Sequence, residues 1–330
     1  MRRMEFRELW LKSLFIAVAA ILGTVSLAGA QASGYRVGVL TPGLTFGPVL
    51  IGLQEGLARL GYEEGKQITF IVEDTKGSVS DLVNRAMRLV ESKPNILFTV
   101  STAHTTAAKK ATATVPIVFA WVGDPLRSGF IASYASSKNN LTGVTSYAGP
   151  LSGKRLEVLK EIAPKIKTVL AVVATKDSVA ENSFESLDET AKKIGVRVQR
   201  RDVATKEDIE KVIRETPTGS VDAIYHIPSA LVGVYIDLLI EKAKDDRIPL
   251  VVHEESMVEK GALFTYGADF RLVGVQAARL VAKVLKGEKP SEVPSETPEK
   301  LLLVLNLSTA KAIRLKLARE ILERVDRIVE

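Results

Sequence analysis

The chain has 330 residues, a formal net charge of +6 and no cysteine. Its content of 46% hydrophobic and 25% charged residues is typical of a globular protein, and the length is sufficient for two domains. Without cysteine, disulfides, thiolate metal sites and a cysteine-linked lipid anchor are excluded. Basic residues alternate with acidic ones, as in Glu241–Asp246, and do not cluster, so nucleic-acid binding is not expected.

The N-terminal segment predicts export. Four basic residues within residues 1–12 precede an uncharged, mostly apolar run from Ser13 to Ala30, which ends in Ala28-Gly29-Ala30. This pattern predicts a signal peptide at residues 1–30, cleaved after about Ala30, and a periplasmic protein that is not a lipoprotein. The alternative is a retained membrane anchor, for which the run is marginal because about 20 apolar residues are needed to span a bilayer.

After Gly34, short β-rich runs alternate with amphipathic helical windows up to a break at Lys138–Pro150. Strands are predicted at Tyr35–Thr41, Gln67–Glu73, Ile96–Val100 and Ile117–Trp121, with helices at Pro48–Leu60, Ser80–Ser92 and Ala103–Thr114. Strands that alternate with helices of this length imply βαβ crossovers and a parallel sheet.

The same alternation restarts after the break, so the fold class is α/β with two Rossmann-like lobes. Strands are predicted at Thr168–Thr175, Val196–Asp202, Ala223–Ile227, Pro249–His253, Leu263–Tyr266 and Leu301–Leu305, with helices at Leu151–Ile162, Ser183–Lys193, Lys206–Glu215, Leu231–Lys244 and Phe270–Lys286. Gly287–Lys300 is predicted to be a connector, and Ser308 to cap a last helix.

The residues that follow the strands are the candidate ligand contacts. In open parallel sheets, ligands bind beyond the carboxyl ends of strands, where helix N-termini supply amide donors. Ser101 and Thr102 stand directly before a predicted helix and are the best pair for a carboxylate, although both could be simple N-caps. Asp124 could accept from a ligand amine or hydroxyl, or only fix the turn before Pro125. Phe46, Trp121 and Tyr147 could wall an apolar ligand or belong to the core.

Signals for catalysis are poor. His104, His226 and His253 are far apart and lack the spacing of metal ligands. The chain contains no G-x-S-x-G elbow, P-loop or G-x-G-x-x-G motif. We therefore expect no catalytic residue, metal or cofactor, and predict a binding protein and not an enzyme.

Four groups of residues make the chain resemble the solute-binding proteins of bacterial ABC importers, in particular the group whose characterised members take aromatic amino acids. These are Gly56–Lys66; Pro116–Ala120 running into Val122–Pro125; Leu151–Leu156; and Glu255–Leu263 with Tyr266–Phe270. Together they extend the resemblance over nearly all of the chain after the signal.

The resemblance implies a type I periplasmic binding fold, in which two lobes joined by a three-strand hinge close on a ligand. It also implies delivery of the ligand to an ABC permease with its ATPase. The chain is expected to be a monomer. The expected lobes are residues 35–148 plus 267–299 and residues 149–266 plus 300–330. By this resemblance and by position after the strands, the expected ligand contacts are Thr41, Thr45, Phe46, Ser101, Thr102, Asp124, Tyr147, Ser229, Glu254 and Tyr266.

One departure bears on the ligand. After the strand that ends at Ile227, relatives commonly carry Asp-Asn or a similar polar pair suited to an ammonium group, whereas this chain has Pro228-Ser229. Because a buried ammonium needs a paired acceptor, we expect a small carboxylate with an apolar body and leave the amino group open; Asp124 or Glu254 could compensate. Alternatives are an exported or tethered ligand-sensing domain that presents its ligand to a receptor, and a hydrolase or isomerase on the same scaffold.

Overall fold

The computed structural model describes residues 34–43, 46–175 and 177–330. The predicted signal peptide and Thr45 lie outside the described residues. None of the helices in the described ranges combines the length and the apolar character needed to cross a bilayer.

Lobe 1 is built on a five-stranded parallel sheet with strand order β2-β1-β3-β4-β5. Its strands are β1 (Tyr35–Thr41), β2 (Ile68–Asp74), β3 (Ile96–Val100), β4 (Ile117–Val122) and β5 (Leu141–Thr145), and its helices are α1 (Gly47–Arg59), α2 (Leu82–Glu91), α3 (Thr102–Ala111) and α10 (Phe270–Leu285). Helices α1 and α10 pack on one face of the sheet, and α2 and α3 pack on the other. Because both faces are covered, the central strands are buried along their whole length, which explains their continuous apolar runs.

Lobe 2 is built on a seven-stranded sheet with strand order β12-β11-β10-β9-β8-β6-β7, in which β10 and β11 are antiparallel and the other pairs are parallel. Its strands are β6 (Thr168–Ala174), β7 (Arg197–Val203), β8 (Ala223–His226), β9 (Leu250–Val252), β10 (Phe264–Ala268), β11 (Leu301–Asn306) and β12 (Arg327–Val329). Its helices are α4 (Ala148–Ile162), α5 (Ser178–Ile194), α6 (Lys206–Arg214), α7 (Ala230–Val234), α8 (Ile236–Asp246), α9 (Glu255–Glu259), α11 (Leu307–Ala312) and α12 (Arg319–Leu322). The predicted α/β class with two lobes is confirmed.

The described chain crosses from one lobe to the other three times: after β5, after β10 and again before β11. After β10 the chain enters the core of lobe 1, where α10 packs against α1. The segment that follows α10 contains a short 3₁₀ helix, Pro290–Glu292, and runs beside β5: the Thr142 hydroxyl donates to the Val293 carbonyl at 2.9 Å. The exact residue limits of the predicted lobes stay a prediction.

The prediction from sequence missed β5, which lies within the predicted break. Gly143 is the middle residue of this strand, and a Cβ there would lie 2.1 Å from the Phe119 carbonyl oxygen, so only glycine permits the close pairing with β4. Asn139 accepts from the Leu141 N–H at 2.8 Å, and its neighbour Asn140 donates to the Val115 carbonyl at 2.7 Å. The residues that indicated a loop therefore support a buried strand.

The cap of the last predicted helix is also different. Asn306 caps α11 by accepting from the Thr309 N–H at 2.8 Å, so the cap is Asn306 and not Ser308. Asn306 ends β11 directly before the helix, and its side chain also donates to the Val258 carbonyl. The sequence prediction took Ser308, which lies inside the first turn of α11, for the capping residue that precedes the helix.

The contact between α1 and α10 requires two glycines and gives a test of the fold. A Cβ at Gly274 would lie 2.0 Å from the Val49 carbonyl oxygen, and one at Gly52 would lie 1.9 Å from the Arg271 carbonyl oxygen. We expect Gly274→Ala to lower the free energy of unfolding by about 1–3 kcal/mol, although alanine is the better helix former. Urea unfolding measures this loss.

The matched control is Gly47→Ala in the first turn of α1, where no atom outside the neighbouring residues and the backbone of α1 lies within 4 Å of the added methyl group. This change should alter the free energy of unfolding by less than about 1 kcal/mol, because the helix propensity of alanine is opposed by Pro48, which disfavours a helical conformation at the residue before it. Equal stabilities of the Gly274→Ala and Gly47→Ala proteins would contradict the close helix contact.

Candidate functional site

The predicted ligand contacts lie at the strand ends of the two sheets. In lobe 1, neighbouring strands place the following along one edge: Thr41 at the end of β1, Ser101 and Thr102 after β3, Asp124 after β4 and Tyr147 after β5. In lobe 2, Ser229 and Glu254 follow the neighbouring strands β8 and β9. Tyr266 lies inside β10, because this strand continues two residues beyond its predicted end.

Three residues at the lobe 1 edge have positive φ angles. Ser101, Trp121 and Tyr147 have φ angles of 80°, 58° and 55°, and they lie at the ends of the neighbouring strands β3, β4 and β5. Ser101, with ψ 160°, occupies a region that is almost exclusive to glycine. Trp121 lies in a register shift between Ala120 and Val122. Such conformations cost about 1–3 kcal/mol each and cluster at functional sites, so they mark this edge as the candidate site.

The N-terminus of α3 has no side-chain cap. The Ser101 hydroxyl makes no cap hydrogen bond; it lies 2.8 Å from Nδ1 of His104. Thr102 accepts from the Gly123 N–H at 3.2 Å and thereby ties the start of α3 to the end of β4. Amide groups in a first helical turn that no side chain caps are ready donors to a carboxylate.

His104 is a site residue that the prediction missed. It is buried, and its two ring nitrogens contact the Ser101 hydroxyl and, at 3.0 Å, the Thr75 hydroxyl. Burial lowers the pKa of His104 to about 4, with the charge of Asp74 opposing part of the shift. At neutral pH the imidazole is therefore neutral, with one donor and one acceptor nitrogen, and it orients the Ser101 hydroxyl. The Ser-x-x-His spacing at a strand–helix junction is the signal that could have revealed this contact.

An aromatic cluster lies at the same edge. Trp121 stacks on Phe270 with ring centroids 3.9 Å apart, and Phe46 meets Phe270 edge-on at 5.2 Å. Trp121 is mostly buried, whereas Tyr147 is 36% exposed. Phe270 begins α10 and reaches this cluster only through the chain crossing after β10, so sequence proximity could not indicate it. The cluster packs on the α1–α10 face of the lobe 1 sheet, and its Trp121 follows Ala120, whose carbonyl accepts from the Ser101 N–H at 3.0 Å.

Asp124 joins the two lobes. Its Oδ1 accepts from the N–H groups of Leu126 and Arg127 at 3.0 Å each, and its Oδ2 accepts from the Asn182 amide of α5 at 2.9 Å. Arg127 also donates to Glu185 of α5 at 2.8 Å. Both carboxylate oxygens of Asp124 are therefore engaged by the protein, and the role of Asp124 as a ligand contact stays a prediction.

Two further predicted contacts stabilise local structure. Thr41 is buried, and its hydroxyl oxygen accepts from the Gly43 N–H at 3.2 Å. Ser229 is the N-cap of α7, where it accepts from the Val232 N–H at 3.3 Å. These bonds leave each hydroxyl hydrogen available as a donor.

Lobe 2 contributes a polar cluster at the ends of β8 and β9. Glu254 is 8% exposed, and its Oε1 lies 3.1 Å from Nε2 of His253. The other ring nitrogen of His253 lies 3.3 Å from Nδ1 of His226, which is fully buried. Burial, the charge of His253 and the charge of Arg155 together hold the pKa of His226 well below its ordinary value.

Behind this cluster lies Arg155, a buried guanidinium on α4. Its Nε donates to the Tyr266 carbonyl at 2.8 Å, which connects the first helix of lobe 2 to the strand that leads back to lobe 1. Burial lowers the pKa of Arg155, while Tyr225 and Glu254 oppose the shift. Tyr266 thus contributes a backbone contact, and a role for its ring stays a prediction.

Two surface cavities lie away from these strand ends. One of about 310 Å³ lies between α1 and α10, and one of about 450 Å³ lies beside the end of α3 and Pro290. Neither is lined by the strained residues or by the polar cluster of lobe 2. Within the described ranges, no group of three His, Asp or Glu side chains is placed to hold a metal ion.

The family is decided by a match to the family model described as "ABC transporter substrate binding protein", which covers residues 45–329. The chain belongs to this family. It is therefore a substrate-binding protein and not an enzyme, and it has the type I periplasmic binding fold.

This substrate-binding protein is also similar to individual proteins and solved structures. It is 26% identical to a tyrosine-binding protein of Clostridioides difficile over 79% of this chain and 75% of the relative. A solved structure of a conserved domain protein from Vibrio cholerae is 27% identical with a TM-score of 0.81, over 89% of this chain and 99% of that one. A Streptococcus pneumoniae ABC domain in complex with L-Trp shows the same fold, with 22% identity and a TM-score of 0.82 over 90% of this chain and 100% of that one.

Proposed function

We propose that this protein is the periplasmic solute-binding component of an ABC importer, and that it captures a small carboxylate with an apolar, aromatic body between its two lobes. The observation that carries the proposal is the strained Ser101 before α3, a helix whose N-terminus no side chain caps. A carboxylate at this position would receive helix amide hydrogen bonds and the favourable end of the helix dipole.

The neighbouring aromatic cluster supports the second half of the proposal. Phe46 and Phe270 are only partly buried against the core that contains Trp121, so they offer an apolar surface to a ring. The tyrosine and L-Trp named for the relatives are aromatic carboxylates of this kind.

We further propose that residues 1–30 direct export, and that closing of the lobes presents the bound ligand to a permease with its ATPase. The contacts from Asp124 and Arg127 to α5 are the lobe–lobe bonds that a closed form would retain.

Binding of defined aromatic carboxylates to the mature protein tests the proposal. Isothermal titration would compare tyrosine, tryptophan, phenylalanine and 3-phenylpropionate with allitol, which is bound to a more distant neighbour of the same fold from Agrobacterium vitis. We expect at least one aromatic carboxylate to bind, with a stabilisation of about 2.7 kcal/mol at 100 times its Kd. Binding of allitol together with no aromatic carboxylate would contradict the proposal.

A further inference from the structure

We propose that the cavity of about 310 Å³ between α1 and α10 is a second binding site, which takes a small amphiphilic anion and couples its binding to the arrangement of the two lobes. We call it the hinge cavity, because residues 298–300, the segment by which the chain crosses into β11, form part of its wall. The site itself is independent of the proposed function, and only its coupling to the aromatic carboxylate rests on that function.

Two exposed leucines line the hinge cavity. Leu60 directly follows α1 and is 47% exposed, and Leu272 in the first turn of α10 is 36% exposed. Small-molecule sites are concave and mostly apolar, with volumes of about 300–1,000 Å³, so this cavity is at the lower end of that range. Its size and lining fit a hydrocarbon chain of moderate length.

The charges around the hinge cavity favour an anion. Its charged lining residues are three basic side chains and one acidic side chain, namely Arg59, Arg279, Lys300 and Glu299. Arg279 pairs with Glu299 and also with Glu296. Among the residues that the structure describes, Arg59 and Lys300 have no carboxylate partner, so a bound carboxylate would meet their charges without displacing an existing ion pair.

Gln276 of α10 connects the hinge cavity to the crossing segment. It lines the cavity, is only 5% exposed, and its Nε2 donates to Glu296 Oε2 at 2.6 Å and to the Thr297 carbonyl at 2.9 Å. Its Oε1 accepts from the Glu299 N–H at 3.1 Å. These bonds fasten the crossing segment to lobe 1 as far as Glu299, and Lys300 is the single residue between this segment and β11.

On the other side of Lys300 the chain is fastened to lobe 2, because Leu301 pairs with Ala268 of β10. A change in the angle between the lobes therefore alters the backbone at Lys300, and with it the position of this side chain relative to α1. An anion that contacts Lys300 and Arg59 together binds one arrangement of the lobes more tightly than another, which is the condition for coupling.

The direction of the coupling follows from the lobe contacts. In this structure the lobes touch, since Asp124 accepts from Asn182 and Arg127 donates to Glu185 of α5. The hinge cavity is formed in this arrangement, so an anion bound in it stabilises the touching lobes. We expect occupancy to tighten the binding of the aromatic carboxylate, and by reciprocity the aromatic carboxylate to tighten the binding of the anion by the same factor.

Isothermal titration of the mature protein with octanoate tests the site, because octanoate combines a carboxylate with an apolar chain. We expect octanoate to bind, and hexanoate to bind roughly tenfold more weakly because it buries two fewer methylene groups. Octylamine has a similar chain with a positive charge and should bind more weakly than octanoate. Replacing Arg59 and Lys300 together by glutamine should weaken octanoate roughly tenfold.

The matched control is the double variant Lys109→Gln and Lys289→Gln, which removes the same charge from the second surface cavity. It should leave the octanoate affinity unchanged, and thereby separates a site from the general attraction of an anion to basic side chains. Thermal melts verify that both double variants fold. Loss of octanoate binding in Ser101→Ala, together with unchanged binding in the Arg59 and Lys300 variant, would place octanoate between the lobes and overturn the site.

The coupling is measured with the aromatic carboxylate that binds most tightly, titrated with and without saturating octanoate. We expect octanoate to lower its Kd roughly fivefold or more. An equal Kd in both titrations would overturn the coupling, and equal weakening of octanoate in the two double variants would overturn the site, while the proposed function would stand in both cases. Binding of octanoate that depends on Arg59 and Lys300, with no aromatic carboxylate bound, would instead support the site and overturn the proposed function together with the coupling.

Discussion

Replacing Ser101 with glycine is expected to weaken carboxylate binding as strongly as Ser101→Ala does, while giving a ligand-free protein that is more stable than this alanine variant. Ser101 has φ 80° and ψ 160°, which glycine adopts without steric cost. Glycine and alanine at this position both remove the hydroxyl partner of the buried His104, which costs about 1–3 kcal/mol, so the two variants are compared with each other. Relief of about 1–3 kcal/mol of strain exceeds the roughly 0.5–1 kcal/mol that the greater flexibility of unfolded glycine removes, so Ser101→Gly should be about 1 kcal/mol more stable than Ser101→Ala. The hydroxyl that His104 orients is lost, and the Kd should rise roughly tenfold.

Ser101→Ala separates the two effects, since it removes the hydroxyl and retains the strained backbone. It should lose the same affinity as Ser101→Gly and should be less stable than that variant. Thermal unfolding of the ligand-free proteins and titration with an aromatic carboxylate measure both quantities. Wild-type affinity in the glycine variant would show that the hydroxyl does not contact the ligand, and equal stabilities of the glycine and alanine variants would show that the backbone at residue 101 is not strained.

The alternation of strands and helices was predictable from sequence because burial imposes it locally. In β3 and β4 every residue is buried, so an apolar run alone indicates a central strand. An apolar run did not reveal β5. Its glycine permits close pairing with β4, and the asparagines before it make hydrogen bonds with the segment after α3, and both of these partners are distant in sequence. β5 is therefore determined by its contacts with neighbouring elements and not by its own hydrophobicity.

The candidate site was predictable only as a set of positions. Strand ends can be read from periodicity, but the partners of their side chains depend on strand order and on the chain crossings between lobes. Phe270 meets Trp121 because the chain returns to lobe 1 after β10, and Asp124 meets Asn182 because α5 begins at the facing edge of lobe 2. His104 was considered only as a metal ligand, although its role is to hold a hydroxyl three residues away.

Acid should destabilise this protein well above the pH at which carboxylates titrate, and the cause is a buried neutral histidine in lobe 1. An unfolded histidine has a pKa of about 6.5, whereas that of His104 in the folded protein is about 4. Between these values the unfolded chain binds the proton and the folded protein does not, so stability is retained above about pH 6.5 and is lost as pH falls toward about 4. The total loss from this residue is roughly 3 kcal/mol.

The variant His104→Gln should show a shallower decline in unfolding free energy over this range, measured by urea unfolding at successive pH values. Some decline should persist, since the lowered pKa of His226 acts in the same direction in lobe 2, while the raised pKa of Asp177 opposes it at the acid end. Because His104 and His226 lie in different lobes, their contributions should add. A slope in His104→Gln equal to that of the wild type would mean that His104 gains its proton without cost in the folded protein, which its burial between Ser101 and Thr75 contradicts.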